Sequence, residues 1–249
     1  LEGTRTWPGA DQDGVLAAIG TIGDLVPLTG ENRTLVVHGL KLLSSMPSGP
    51  LKDFADQVRG ESSAALTSTD VAFRVVPRIN ASGRIDHPDV ALKALLDGGE
   101  HLEQLHGFNV TRQEMSAQLT KRALEIVDSS RPFLCVAHEE FHPGVVGLIA
   151  SALTEQFGRP SLAASVKDGI ATASLRSIPQ VHLAEYLAAP DVAPLLIKHG
   201  GHARAAGCTF RAEHTEAIGE ALSARMRAAG IEGDALRPTL RLEAVLADG

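Results

Sequence analysis

Four short segments of the chain bring together residue types that suit the binding of an oxyanion. Between 138 and 157 a strand-like stretch gives way to His142, Pro143 and Gly144, and an apolar helical pattern follows. Free N–H groups at a helix start, in the crevice beyond a strand's carboxyl end, can receive an anion, and His142 adds an imidazole there. Ser174, Arg176 and Ser177 end another strand-like stretch and offer two hydroxyls beside a guanidinium, a set able to grip phosphate. Gly200, Gly201 and His202, followed by Ala205, Ala206 and Gly207, permit close backbone approach and supply a second imidazole. Arg78, Asn80, Ser82 and Arg84 fall together in RINASGR and could face a phosphodiester backbone. Each segment also has a plainer reading. Pro143 can start a helix whose Val145, Ile149, Leu153 and Phe157 face a core, and the others can be a glycine turn, an exposed strand end and a polar loop.

The elements that must position these residues follow from the apolar periodicity. An apolar run at 15 to 20 reads as a strand or helix end, and Asn32 precedes a helix carrying Leu35, Val36, Leu40 and Leu43. VAFRVV at 71 to 76 reads as a strand closed by Pro77, which makes RINASGR a loop. Pro88 opens a short helix that Gly98 and Gly99 stop, and a boundary is expected there. Residues 100 to 129 predict a long connecting helix. Beyond Pro132 come strand 133 to 137, helix 143 to 157, strands 161 to 166 and 169 to 175, and a helical stretch at 182 to 188. A glycine turn at 200 to 202, a strand near 207 to 210, a helix with Ile218, Leu222 and Met226, and a strand at 239 to 246 complete the pattern. Strands alternating with helices predict an α/β domain.

Composition narrows the function classes. The 249 residues allow one large domain or two modest ones, and two are expected. No apolar run approaches the roughly 20 residues of a membrane span, so no membrane association is expected. Cys135 and Cys208 have no neighbour at a metal-ligand or redox spacing and read as reduced core thiols of a cytoplasmic protein. The first residues are polar and include Trp7, Pro8 and Gly9, unlike a signal peptide. A net charge of -7 argues against a protein that coats nucleic acid indiscriminately and leaves room for a local basic site.

Taken in order, the segments GTIGDLVPLTGENRTLVVHGL at 20 to 40, PRINASGR at 77 to 84, HPGVVGLIASALTEQFGRP at 142 to 160, SLRSIP at 174 to 179 and GGHARAAG at 200 to 207 resemble the RecJ branch of the DHH/DHHA1 phosphoesterases. The resemblance covers nearly the whole chain from about residue 15. It implies two α/β lobes joined by a long helix: the C-terminal part of a DHH-like domain over 1–99, a connecting helix over 100–130, and a DHHA1-like substrate-binding domain over 131–249. It further implies a 5′ to 3′ exonuclease for single-stranded DNA in repair and recombination, working with two Mn²⁺ or Mg²⁺ ions that hold the scissile phosphate and activate water. A helicase and a single-strand-binding protein are candidate partners. By the same resemblance Asp24 is a metal ligand and catalytic residue and His142 a catalytic residue bordering the cleft with His202. Arg78, Asn80 and Arg84 then contact DNA, Ser174 and Arg176 hold a terminal phosphate, and Gly200, Gly201 and His202 complete the substrate site.

The chain also departs from that pattern. The family's Asp-x-Asp motif, a further Asp and the Asp-His-His triplet precede the GTIGD element, and Asp11-Gln12-Asp13 and Asp86-His87-Pro88 imitate them without fitting their context. A fragment that hydrolyses DNA poorly by itself is therefore expected. A phosphodiesterase for short oligonucleotides or cyclic dinucleotides, and a non-catalytic nucleic-acid-binding module, are the alternative readings.

Overall fold

A computed structural model of the chain describes residues 9–236. The chain divides into two compact units, Leu1–Gln113 and Glu114–Gly249, and the division falls inside one long helix.

The described part of the first unit is entirely helical: α1 (Ala10–Gly23), α2 (Gly30–Ser45), α3 (Pro50–Arg59), α4 (Ser68–Asp70), a π-helical turn (Val71–Val75), α5 (Val76–Ile85), α6 (Asp89–Leu96) and the start of α7 (Glu100–Ile126). Helix α1 buries Val15, Ala18, Ile19 and Ile22, the three-and-four spacing of one helix face. Helix α2 lies close against it through Gly39, where a Cβ would come within 2.5 Å of the Gly14 carbonyl oxygen. Leu51, Phe54, Ala55 and Val58 of α3 bury against the same core. Thr67 and Asp70 form a reciprocal capping box that starts α4.

Two expectations are overturned here. Residues 71 to 76 are not a strand and RINASGR is not a loop, because the helix runs on through both. Val71 and Val75 are buried, whereas Phe73, which a strand would place on their face, is 78% exposed. The burial pattern is thus helical, and tertiary contact overrides the strand preference of the valines. Pro77 sits in the first turn of α5, where its missing N–H is tolerated, and the wider π turn lies just before it.

The second unit holds a five-stranded mixed sheet in the order β1-β2-β3-β5-β4. Its strands are β1 (Leu134–His138), β2 (Ser161–Lys167), β3 (Ile170–Arg176), β4 (Leu196–Gly201) and β5 (Ala205–Arg211). Strands β1 and β2 are parallel, joined through α8 (Val146–Phe157), and the remaining pairs are antiparallel. Alternation along the strands serves two cores. Leu162, Leu175 and Phe210 pack toward α9 (Leu183–Leu187) and toward Ile218, Leu222 and Met226 of α10 (Thr215–Ala228). Leu134, Val136 and Ala163 pack against Val146, Ile149 and Leu153 of α8 and against Leu119 and Ala123 of α7.

The chain is therefore α/β, a helical first region and long helix followed by the mixed sheet, with every described strand in the second unit. Gly200 and Gly201, expected in a turn, close the edge strand β4 instead. The strand expected at 239 to 246 lies outside the described residues. Among the described residues no helix is long and apolar enough to cross a membrane.

Candidate nucleic-acid interface

Within the second unit the sheet and α8 converge on Ser174 and Arg176. The two residues alternate with buried Ala173 and Leu175, so both project toward the side of the sheet on which α8 lies. Gly147, in the first turn of α8, leaves room for them: a Cβ there would lie 3.2 Å from Arg176 Nη2 and 3.6 Å from Ser174 Oγ. The guanidinium is thereby held beside a helix start, where unpaired N–H groups and the positive end of the helix dipole already favour an anion. Lower on the same face of α8, Thr154 Oγ1 meets Ser161 Oγ at 2.7 Å and anchors this helix to the sheet. Sequence reading missed Gly147; the signal was a glycine one turn after the His142-Pro143-Gly144 break, opposite a strand ending in Ser-x-Arg.

Register adds the glycine segment to this arrangement. Ser174 pairs with Gly207 on β5, and Gly207 pairs with Gly200 on β4, so the three form one row across the sheet. Paired residues project to the same side, and two of the three have no side chain, so the surface beside Ser174 is open to a close ligand. Gly201 has a different reason to be glycine. Its φ is 138°, and a Cβ would lie 2.5 Å from Ala206 Cα, so the approach of β4 to β5 itself requires it. His202 is exposed and its backbone N–H donates to the Ala205 carbonyl at 2.8 Å, placing the imidazole at the β4–β5 end. His142 is half-buried, and its Nδ1 accepts from the Gly144 N–H at 3.1 Å, which leaves the proton of the neutral ring on Nε2.

In the first unit the helix separates residues that the sequence grouped. Asn80 and Arg84, one turn apart on α5, line a cavity of about 550 Å³ together with Gly83 and with Pro88, Ala91 and Leu92 of the α6 region. Arg78 points elsewhere, and its Nη1 donates to the Arg74 carbonyl at 2.7 Å. Burial holds the Arg78 and Arg84 guanidiniums below their ordinary range, and nearby Arg74 adds to the effect on Arg78. Ser82 is fully buried and donates to the Ile79 carbonyl, so it faces the core and not a ligand. Asp24 caps the end of α1 and is exposed, and the next residue, Leu25, is 84% exposed with φ 57°. The imitation motifs sit at helix starts: Asp11 and Asp13 occupy the first turn of α1, and ahead of α6 His87 Nδ1 accepts from the Asp89 N–H. Asn109 and Arg112 of α7, not singled out in the sequence, form a hydrogen-bonded polar pair.

Residues 130–228 match the DHHA1 domain family. The single-stranded-DNA-specific exonuclease RecJ of Bacillus subtilis is 37% identical over 208 residues, an alignment covering 80% of this chain and 26% of that protein. The crystal structure of RecJ from Thermus thermophilus in complex with Mg²⁺ superposes with a TM-score of 0.79 at 30% identity, over 88% of this chain and 35% of that one. The chain is a RecJ homologue. A further crystal structure, exonuclease RecJ bound to manganese, matches with a TM-score of 0.73 at 31% identity over 87% of this chain and 55% of that one. The chain thus spans between a quarter and somewhat over half the length of these RecJ proteins.

RecJ structures holding Mg²⁺ and manganese raise the question whether the present residues fit such ions. Either ion prefers several oxygen ligands around one point. Among the described residues no group of three or more His, Cys, Asp or Glu side chains comes together in that way. Asp24 offers one exposed carboxylate. The described residues do not by themselves fit a two-ion centre.

Proposed function

We propose that this chain is the substrate-gripping portion of a RecJ-type exonuclease that removes nucleotides from the 5′ end of single-stranded DNA, in the cytoplasm, during repair and recombination. In this reading Asp24 contributes one ligand to a Mn²⁺ or Mg²⁺ centre whose remaining ligands lie outside this sequence, and a helicase and a single-strand-binding protein are its working partners. The observation that supports it most is the convergence of Gly147, Ser174 and Arg176, a guanidinium and a hydroxyl held beside a helix start in a RecJ homologue. A terminal phosphate carries more charge than an internal one and gains most from such a site. The open row of Ser174, Gly207 and Gly200 then admits the sugar and base behind it.

Fluorescence anisotropy with 5′-phosphorylated and 5′-hydroxyl single strands tests this reading. The chain is expected to prefer the phosphorylated strand, and Arg176→Ala to remove about 1–3 kcal/mol of that affinity while barely changing the hydroxyl strand. Equal losses on both strands would remove Arg176 from the terminal-phosphate role. Tighter binding to very short oligonucleotides than to long strands would favour the phosphodiesterase reading. Incubated with Mn²⁺ and DNA, the 249-residue chain by itself is expected to release few nucleotides. Turnover matching a complete exonuclease would refute the assignment of the metal ligands to residues outside it.

A further inference from the structure

The face of the sheet that carries Ser174 and Arg176 continues past them. Thr172, two residues earlier on β3, alternates with buried Ala171 and Ala173 and therefore projects to the same side. It pairs with Thr209 on β5, which pairs with Lys198 on β4, so these three form a row beside that of Ser174, Gly207 and Gly200. One further step along the strands gives the row of Lys167, Ile170 and Arg211. Helix α8 lies over β2 and β3, and the outer part of the face is open: Thr172, Lys198, Lys167 and Arg211 are exposed and Thr209 is half-buried. Charge is gathered here against the trend of the whole. The chain has a net charge of -7, yet none of the described strands contains an aspartate or a glutamate. Among the described residues Lys167, Lys198 and Arg211 enter no ion pair and no side-chain hydrogen bond. The carboxylates nearest to them in sequence, Asp168 and Glu213, hold none of them, and Glu213 lies 3.9 Å from His214 Nε2 instead. By contrast Arg225 and Arg227 of α10, on the opposite side of the sheet, have Asp191 and Glu220 as partners.

Successive rows stand about 7 Å apart, two residues at the usual rise of a strand. A single strand of nucleic acid laid along them advances on the order of one nucleotide per row. We propose that single-stranded DNA runs from Ser174 and Arg176 across β3, β5 and β4 toward the β2–β3 turn. Its second phosphate is taken by Lys198 with the hydroxyls of Thr172 and Thr209, and its third by Arg211. The identity of the ligand and its starting phosphate rest on the proposed function; the track itself rests on strand register and on charge that nothing in the described chain neutralises. A lysine on an edge strand also guards against pairing with another chain, a role that charge on either face would serve. Here both cations stand on the one face that already holds Arg176. Contacts to phosphate carry no sequence information, so strands of any sequence are expected to follow the same path.

Lys198→Gln and Arg211→Gln, alone and combined, test the track in the whole chain, with Arg176→Ala and Arg227→Gln for comparison. Arg227→Gln removes the same charge from the opposite side of the sheet. Circular dichroism checks that each variant folds, as expected for exposed side chains. Anisotropy of a labelled, 5′-phosphorylated long single strand is read across a salt series, and competition by a 5′-mononucleotide reads the terminal site alone. On the long strand each glutamine variant is expected to weaken binding about threefold to tenfold. Each should also lower the slope of log K against log salt by roughly 0.7, the value of one phosphate contact on a single strand, and the double variant by about 1.4. Competition by the mononucleotide should not change in either, and Arg227→Gln should leave the slope as it is. Unchanged slopes in Lys198→Gln and Arg211→Gln, or an equal loss in Arg227→Gln, overturn the track, and a loss in Arg176→Ala then leaves the terminal-phosphate reading standing. Lowered slopes in the glutamine variants, with no effect of Arg176→Ala, keep the track and sink the terminal-phosphate role. A wild-type chain that binds the mononucleotide as tightly as the long strand overturns the track, and one that binds neither overturns both readings.

Discussion

Gly147 and Arg176 are fitted to each other: a Cβ on the glycine would stand 3.2 Å from the guanidinium Nη2. The one is in the first turn of α8 and the other ends β3, so the position of a charged side chain in the sheet depends on a missing side chain in the helix.

Gly147→Ala follows directly. The crowded atom is the far end of a flexible side chain, so the fold should persist, and alanine favours the helix by up to about 1 kcal/mol. Arg176 must move aside. Melting temperature is expected to hold or rise while affinity for 5′-phosphorylated strands drops by roughly 1 kcal/mol, read by anisotropy and circular dichroism on the same preparation.

Neighbouring glycines in β4 should respond in opposite ways. Gly201→Ala combines a φ of 138° with a Cβ 2.5 Å from Ala206 Cα and is expected to cost about 3 kcal/mol in urea denaturation. At Gly200 nothing lies within 4 Å, and alanine there should cost less than about 1 kcal/mol. Similar losses at both positions would contradict the β4–β5 register.

A parallel contrast checks the first unit. Gly39→Ala drives a methyl group against the Gly14 carbonyl and Ala18 and should destabilise by about 1–3 kcal/mol. Gly20→Ala, in α1 with no atom within 4 Å, should be neutral or stabilising by up to about 1 kcal/mol. Chemical denaturation that ranks the two variants the other way would refute the α1–α2 contact.

The cysteines give a pH dependence. Burial pushes both Cys135 and Cys208 up to about 12, and neither forms a disulfide. Unfolded thiols ionise near 9, so above that pH the unfolded state sheds protons that the folded state keeps. Stability is therefore expected to fall as pH climbs through the window from 9 to 12, less so in a Cys135→Ala, Cys208→Ala variant. At about pH 8 both thiols should react with a disulfide reagent only on unfolding. Rapid labelling of the native chain would contradict their burial.

How far the fold could be read from sequence depended on how much of each element is buried. Helices α2, α6, α8 and α10 and strands β1, β2, β3 and β5 carry apolar residues at the period of their own structure, and each lies within a few residues of its expected position. Strand β4 was missed because Leu196–Gly201 is an edge strand, nearly all exposed, with Lys198, His199 and two glycines in place of an apolar alternation. The stretch 71 to 85 failed for the opposite reason. Its valines favour a strand locally, and only their burial against α1, α3 and α6 shows that a period of four governs.

By itself the sequence determined which groups are available: Ser174, Arg176, Arg84, His142, His202 and the glycines, in an order that resembles RecJ. Residue type and linear order are properties of the chain, and they were sufficient for the family and the α/β class. Only the tertiary structure decided which of those groups meet. The turn of α5 parts Arg78 from Asn80 and Arg84, the register of β3, β5 and β4 sets two glycines beside Ser174, and the packing of α8 on β3 puts Gly147 against Arg176. Such neighbours are distant in sequence and have no local signature, because their contact is set by packing between elements and not by the backbone preferences of either one.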